Sequence, residues 1–198
     1  GLTGKFVLVY VGAHGLANGL MQLIDAASLL RGTSAHFLLI GDGMEKKSLI
    51  AEVNKRMLRN VTFLDPVPKD EIFRYILLAD AGLSVLKRAD IFKTVYSNKT
   101  FDYFSCKRPV IMAIEGISRQ LVEQSGGGLF AEPENPSDLA EKIRIYLNDP
   151  KLARIHGEKG YRSARIHFDR ERLSASFLEA LEECTGQVSQ GRVSAQKK

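Results

Sequence analysis

The 198-residue sequence has no tryptophan and only two cysteines, Cys106 and Cys184. Two isolated cysteines without metal-binding or redox spacing exclude a disulfide framework and a Cys-x-x-Cys site. The sequence also shows no apolar run of membrane-spanning length and no signal peptide. We therefore expect reduced thiols that serve in packing, and a protein located in the cytoplasm.

A strong charge of either sign is absent as well, because 28 Lys and Arg residues stand against 23 Asp and Glu, for a net charge of +5. The stretch 185–198 has basic residues and no acid. We expect it to be a basic, disordered tail behind a folded domain of residues 1–184. No basic stripe interleaved with aromatic residues is present, so nucleic acid is not an expected partner.

Short apolar runs alternate with helical patterns along the whole chain. The first run, Phe6–Val11, is continuously apolar, which is typical of a strand buried on both faces. Further strands are predicted at 35–40, 61–64, 81–86, 110–114 and 129–131. Helices are predicted at 17–30, 45–57, 68–79, from 97, and at 119–123, 136–148, 150–167 and 169–184. This alternation predicts an α/β fold, a doubly wound, parallel, six-stranded Rossmann-like sheet with helices at the C-terminal end.

Ligands of such sheets bind beyond the carboxyl ends of the strands. Gly12, Gly15 and Gly19 lie in the loop after the first strand, where glycine allows the backbone to approach an anion closely. The spacing is not G-x-G-x-x-G, so it argues against an NAD dehydrogenase and leaves a phosphate loop and an ordinary tight turn both open. His14 in this loop is a candidate donor to a phosphate or leaving group, or else an exposed loop histidine.

A second candidate loop runs from Lys87 to a predicted helix that begins at Ser97. Ser97 is a favourable N-cap residue, and the free N–H groups of Asn98 and its neighbours would attract a phosphate. Lys99 would add a positive charge at the same place. An ordinary capped helix with a surface lysine remains the alternative, and Lys87 is a further candidate for a diphosphate contact.

One turn further along, Asp102 is a candidate for holding sugar hydroxyl groups. We expect Phe101 and Phe104 to pack into the core, which would leave Asp102 on the ligand side of the helix. A first-turn acid without a ligand is the competing interpretation, and the spacing alone favours neither.

Taken in order, these pieces resemble the C-terminal half of a family-4 retaining glycosyltransferase of the GT-B fold. The similarity is greatest to the bacterial group that builds surface polysaccharides, in which a Ser-x-Lys-x-Phe-Asp-Tyr stretch recurs. The segments that carry it are Val11-Gly12, Asn18-Gly19, Leu23-Ile24-Asp25-Ala26, Ile40-Gly41-Asp42-Gly43 with Glu45, Asn60–Leu64, Ala79-Asp80-Ala81, Ser97–Tyr103, Arg108–Ile111, Gly127-Gly128-Leu129 and Pro133–Pro136.

The resemblance implies a nucleotide-sugar donor, with a UDP-sugar favoured, and neither a metal nor another cofactor. It implies that Asp102 holds the ribose and that backbone groups near Val67 pair with the base. The family's sugar-contacting acid falls on Thr94, so no catalytic residue is assigned. The implied partner is an N-terminal acceptor-binding domain outside this chain, and a lipid-linked acceptor would bring the enzyme to the inner face of the membrane.

Two other functions remain open at this point. A GT-B-type nucleotide-sugar epimerase would need acid and base groups in one chain, for which Asp42, Glu115 and His14 are few. A non-catalytic nucleotide-binding module would keep the fold and lose the reaction. In the favoured interpretation the chain alone binds nucleotide but transfers no sugar.

Overall fold

The six apolar runs form one parallel sheet in a computed structural model that describes residues 1–185. The strands are β1 Phe6–Val11, β2 Ala35–Ile40, β3 Val61–Leu64, β4 Ala81–Val85, β5 Val110–Ala113 and β6 Gly128–Phe130. The helices are α1 Met21–Leu29, α2 Lys46–Lys55, α3 Lys69–Leu78, α4 Asn98–Ser105, α5 Ile117–Ser125, α6 Pro136–Asn148, α7 Pro150–His167 and α8 Arg170–Thr185. The predicted fold class is thereby confirmed.

The strand order is β3-β2-β1-β4-β5-β6, so the chain builds outwards from β1 in one direction and then returns to build in the other. β1 pairs along its whole length with β2, from Phe6 opposite Ala35 to Val11 opposite Ile40. With β4 it pairs only through Leu8 and Val9. The two central strands therefore separate towards their carboxyl ends, and a crevice opens between the loops that follow them.

Helices cover both faces of the sheet and bury its side chains. Alternate residues of β1 point to opposite faces, because successive side chains of a strand do so. Leu8 and Tyr10 contribute to an apolar cluster with α1 and α6, whereas Val7 and Val9 contribute to a second cluster with α3, α4 and α5. Burial on both sides explains why β1 is a continuous apolar run in the sequence and why β2 is apolar except for His36.

The helix predicted at 17–30 is interrupted. Residues Leu16–Asn18 form a 3-10 turn, and α1 begins only at Met21. Gly19 adopts a left-handed conformation with φ of 55° between them, which ends the turn. A second 3-10 turn, Asp90–Thr94, lies within the predicted polar loop after β4.

At the C-terminal end, α7 packs against α4 and α5, while α8 has no buried residue. Thr185, the first residue of the predicted tail, is the last residue of α8, and the rest of that tail, 186–198, lies outside the described residues. Cys106 is buried as expected, but Cys184 is exposed on α8, so it does not serve in packing. Within residues 1–185, no helix is long and apolar enough to cross a membrane.

Candidate functional site at the carboxyl ends of β1 and β4

Lys99 lies over Gly12 where β1 and β4 separate. A Cβ atom on Gly12 would lie 2.7 Å from Cε of Lys99 and 3.2 Å from its Nζ. Gly12 has φ of 140°, a conformation that favours glycine. The Lys99 side chain can approach the Gly12 backbone this closely because Gly12 has no side chain. The two loops that the sequence pointed to are therefore adjacent.

The Lys99 ammonium group has no anionic partner in contact. Its Nζ lies 5.2 Å from the ring centroid of Tyr10, and it makes no hydrogen bond or ion pair with any residue in the described part of the chain. Burial lowers the pKa of Lys99, and the charge of Asp102 opposes this effect. A partly buried cation beside a partly buried glycine backbone is an arrangement that attracts an anionic ligand.

Tyr103 fixes α4 above this point, although it was not among the predicted site residues. Its hydroxyl accepts a hydrogen bond from the N–H of Val11 at 3.2 Å and donates one to the carbonyl of Leu83 at 3.1 Å. The Tyr103 ring occupies the space that a side chain on Gly82 would fill. A glycine inside a buried strand was the available signal, because it marks the close approach of another group.

The core face of α4 differs from the prediction. Thr100, Tyr103 and Phe104 are its buried residues. Phe101 is only partly buried and packs against Phe168, with ring centroids 4.9 Å apart. Phe104 therefore points inwards as predicted, whereas Phe101 packs against the edge of the same cluster and Tyr103 is the second fully buried aromatic residue of α4. The 3.6-residue helical repeat places 100, 103 and 104 on one face.

Asp102 is half-buried and lines a cavity of about 580 Å³ between the start of α3, α4, and the junction of α7 with α8. Burial raises the pKa of its carboxyl group, while the charges of Lys69 and Lys99 lower it. Asn98 and Phe101 line the same cavity. Asp102 is thus one helical turn along α4 from Lys99 and borders open space, but neither Lys99 nor Gly12 lines this cavity.

Ser97 stands at the N-cap position of α4, but its side chain does not cap the helix. Its hydroxyl is instead 2.7 Å from the hydroxyl of Ser84 in β4. This corrects the expectation of a capping side chain. Among the described residues, the N–H of Thr100 donates to the Ser97 carbonyl at 3.0 Å, whereas the N–H groups of Asn98 and Lys99 make no hydrogen bond and are available to an anion.

The His14 side chain is completely buried, in contrast to both expectations for it. Its ring packs near Tyr10 and Phe63, with centroids 6.0 and 5.9 Å away, and neither ring nitrogen has a hydrogen-bond partner among the described residues. Burial lowers the pKa of His14, and the charge of Lys46 lowers it further, against the opposing charge of Asp42. The imidazole therefore does not face the crevice, which corrects its prediction as a phosphate donor.

The loop after β2 packs against the loop after β1. The His14 N–H donates to the Asp42 carbonyl at 2.8 Å, and a Cβ on Gly43 would lie 2.6 Å from the His14 carbonyl oxygen. Lys46 holds the far side of this loop, where its Nζ donates to the carbonyl of Gly41 at 2.8 Å and to Asp65 at 2.7 Å. The Gly41-Asp42-Gly43 segment is thus a support for the Gly12 loop rather than an isolated turn.

Three other predicted residues make no polar contact with Gly12 or Lys99 in the described part of the chain. Gly15 has φ of −104°, which any residue can adopt, so no conformational demand for glycine exists there. Lys87 is exposed, and its Cγ would be 2.9 Å from a Cβ on Gly19. Val67 lies between β3 and α3, partly buried against the core. Within the described chain, no three His, Cys, Asp or Glu side chains cluster as metal ligands would.

Comparison with known proteins identifies the family. The family described as "Glycosyl transferases group 1" matches residues 5–149, which is most of the chain. The chain belongs to this family. The glycosyltransferase MJ1178 of Methanocaldococcus jannaschii is 32% identical over 152 residues, which cover 77% of this chain and 41% of that protein.

Two further relatives of this group 1 chain are informative. The Escherichia coli K12 glycosyl transferase WcaI, whose name proposes a role in colanic acid biosynthesis, is 27% identical over 88% of this chain and 42% of its own. The crystal structure of HepE from Anabaena in complex with UDP superposes with a TM-score of 0.80 at 19% identity, over 92% of this chain and 50% of that one. The chain thus spans about half the length, or less, of the relatives that it matches.

Proposed function

We propose that this chain is the donor-binding, C-terminal half of a family-4 retaining glycosyltransferase that takes a UDP-sugar and transfers a hexosyl group. The observation that carries the proposal is the Lys99 ammonium group, which lies over the Gly12 backbone at the switch in strand order without an anionic partner in the described chain. A diphosphate placed there would supply the missing negative charge.

The chemistry of sugar transfer makes use of such a site. As the bond between the anomeric carbon and the diphosphate breaks, negative charge develops on the leaving phosphate oxygens. The Lys99 ammonium and the free N–H groups at the start of α4 would stabilise that charge, because they are already oriented before the reaction. Asp102, one turn further along, would hold the ribose hydroxyl groups.

The finer parts of the proposal have separate support. HepE binds UDP in its crystal structure, which favours uridine over other bases. The name of WcaI and the Ser97–Tyr103 stretch favour a bacterial polysaccharide or glycolipid as the product. We place the reaction in the cytoplasm, and at the inner membrane face if the acceptor is lipid-linked. The acceptor would bind to an N-terminal half outside this chain.

A thermal-shift panel of UDP, GDP, ADP and their sugars tests the donor site. A ligand that binds only the folded state at a hundred times its Kd adds about 2.7 kcal/mol of stability, which is a readily measured rise in Tm. We expect UDP and UDP-sugars to give the largest rise. A rise with UDP that no attached sugar changes would favour a plain nucleotide-binding module, and no rise with any ligand would contradict the proposal.

Variants locate the ligand. Lys99→Ala and Asp102→Asn should each remove most of the shift with UDP while the Tm without ligand stays nearly the same, since neither side chain makes a hydrogen bond that the fold needs. Lys159→Ala is the matched control, because the Lys159 side chain also packs over a left-handed glycine, Gly126, away from the site. Equal shifts in Lys99→Ala and Lys159→Ala would place the ligand elsewhere.

A further inference from the structure

Ser118, in the first turn of α5, ties that helix to the segment that leads into α4. Its hydroxyl donates a hydrogen bond to the carbonyl of Val95 at 2.7 Å and accepts one from the N–H of Ser97 at 3.0 Å. Ser118 is completely buried, so it has no contact with solvent or with the crevice. A single side chain thus satisfies two backbone groups just before α4 begins.

The network continues from Ser97 into the sheet. The hydroxyl groups of Ser97 and Ser84 are 2.7 Å apart, and Ser84 is almost completely buried in β4. Buried hydroxyl groups cost free energy unless they find partners, and here each of them finds one. The start of α4 is therefore held from two sides, by β4 beneath it and by α5 beside it.

Gly116, just before α5, packs against the segment that leads into α4, at Lys93, two residues before Val95. It has φ of 75°, and a side chain at this position would collide with the carbonyl group of Lys93 in the 3-10 turn after β4. The Lys93 ammonium group also lies 3.9 Å from the carboxylate of Glu115. The start of α5 therefore contacts the segment between β4 and α4 at two places, through Gly116 and through Ser118.

We propose that Ser118 is a positioning residue for the diphosphate site, an inference that rests on the donor site proposed at Lys99. Ser118 fixes Val95 and Ser97, α4 begins at the next residue, and Lys99 is the second residue of that helix. A displacement of Ser97 therefore moves the Lys99 ammonium group relative to Gly12. Ser118 acts on binding through the start of α4 and touches no ligand itself.

The test compares Ser118→Ala with Thr33→Ala in the 198-residue chain. Thr33 has the same bonding pattern away from the site: its hydroxyl donates to Leu30 at 2.7 Å and accepts from the N–H of Ala35 at 3.2 Å. The Kd of UDP is measured by titration calorimetry well below the Tm of each variant. We expect Ser118→Ala to raise the Kd about tenfold, by analogy with the lower end of what loss of a supporting hydrogen bond costs at metal sites. Thr33→Ala should lower the Tm without changing the Kd.

A double-mutant cycle with Lys99→Gln shows whether the effect passes through α4. If it does, Ser118→Ala adds little to the loss already caused by Lys99→Gln. If the two substitutions weaken UDP binding additively, the inference is overturned. It is also overturned if Ser118→Ala binds UDP with the same Kd as the parent chain. If the parent chain does not bind UDP, both the donor site and this inference are overturned. If the parent chain binds UDP and Ser118→Ala binds it equally well, only this inference is overturned.

Discussion

The hydroxyl group of Tyr103 accepts a hydrogen bond of 3.2 Å from the N–H of Val11, beyond the point where β1 and β4 cease to pair. The same hydroxyl donates to the carbonyl of Leu83. It thus replaces a strand-to-strand contact at the place where the crevice opens, and it holds α4 over the gap. Lys99 lies one turn before Tyr103 on that helix.

Tyr103→Phe tests this bridge. The change leaves the N–H of Val11 and the carbonyl of Leu83 without their partner in a buried place, which should cost about 1–3 kcal/mol in the free energy of unfolding. Urea unfolding measures the loss. Tyr161→Phe is the control, because the Tyr161 hydroxyl makes no hydrogen bond among the described residues, and it should unfold like the parent. Equal stability of both variants would show that the bridge contributes nothing.

Three glycines near the site should respond differently to alanine. Gly41→Ala should lose about 2–4 kcal/mol, because Gly41 has φ of 146° and the new Cβ would meet the Gly12 backbone, which cannot move aside. Gly12→Ala should cost less stability but weaken UDP binding, since the new Cβ meets the flexible end of Lys99.

Gly15→Ala completes this series as its internal reference. Gly15 has an ordinary φ and only an Asn18 contact at 3.6 Å, so alanine should leave the stability unchanged or raise it slightly. Urea unfolding of the three variants gives their order. A Gly15→Ala protein that is less stable than Gly41→Ala would contradict the described loop geometry.

His14 should make the stability depend on pH. Burial and the charge of Lys46 lower the pKa of His14 in the folded chain, so the unfolded chain binds a proton more readily. Its neutral form therefore contributes stability that is present above about pH 6.5, the unfolded value, and is lost as the pH falls below it, by at most about 1.4 kcal/mol per pH unit. His36 and His156 also have lowered pKa values and titrate in the same direction.

His14→Leu should flatten this dependence between pH 7.5 and 5.5 in urea unfolding experiments. It should leave stability at pH 7.5 unchanged or higher, because it removes two buried nitrogens without partners. A pH dependence identical to that of the parent would refute the assignment to His14. A large loss at pH 7.5 would show that the imidazole has a partner the fold needs.

The strands could be predicted from the sequence because burial on both faces of a parallel sheet leaves a continuous apolar run. Phe6–Val11, Ala35–Ile40 and Val61–Leu64 have the predicted bounds. The break before α1 was not predicted, because Gly19 at φ of 55° can only be recognised once the loop it turns is known.

The adjacency of two candidate site residues was predictable from the sequence, whereas the surroundings of others were not. Gly12 and Lys99 come together because parallel strands bring the loops at their carboxyl ends to one edge of the sheet. His14 and Ser97 turn inwards because a neighbouring loop and a neighbouring strand offer them space and partners that no local pattern encodes. The role of Tyr103 was not predicted, because the helical pattern favoured its neighbours Phe101 and Phe104 as the core residues.

A crystal structure of the 198-residue chain soaked with UDP tests the central claim most directly. We predict that the diphosphate lies over the Gly12 backbone, with an oxygen within hydrogen-bonding distance of Lys99 Nζ and the ribose beside Asp102. A fully occupied UDP molecule bound elsewhere, with Lys99 Nζ still 5.2 Å from the Tyr10 ring and without an anionic partner, would contradict it.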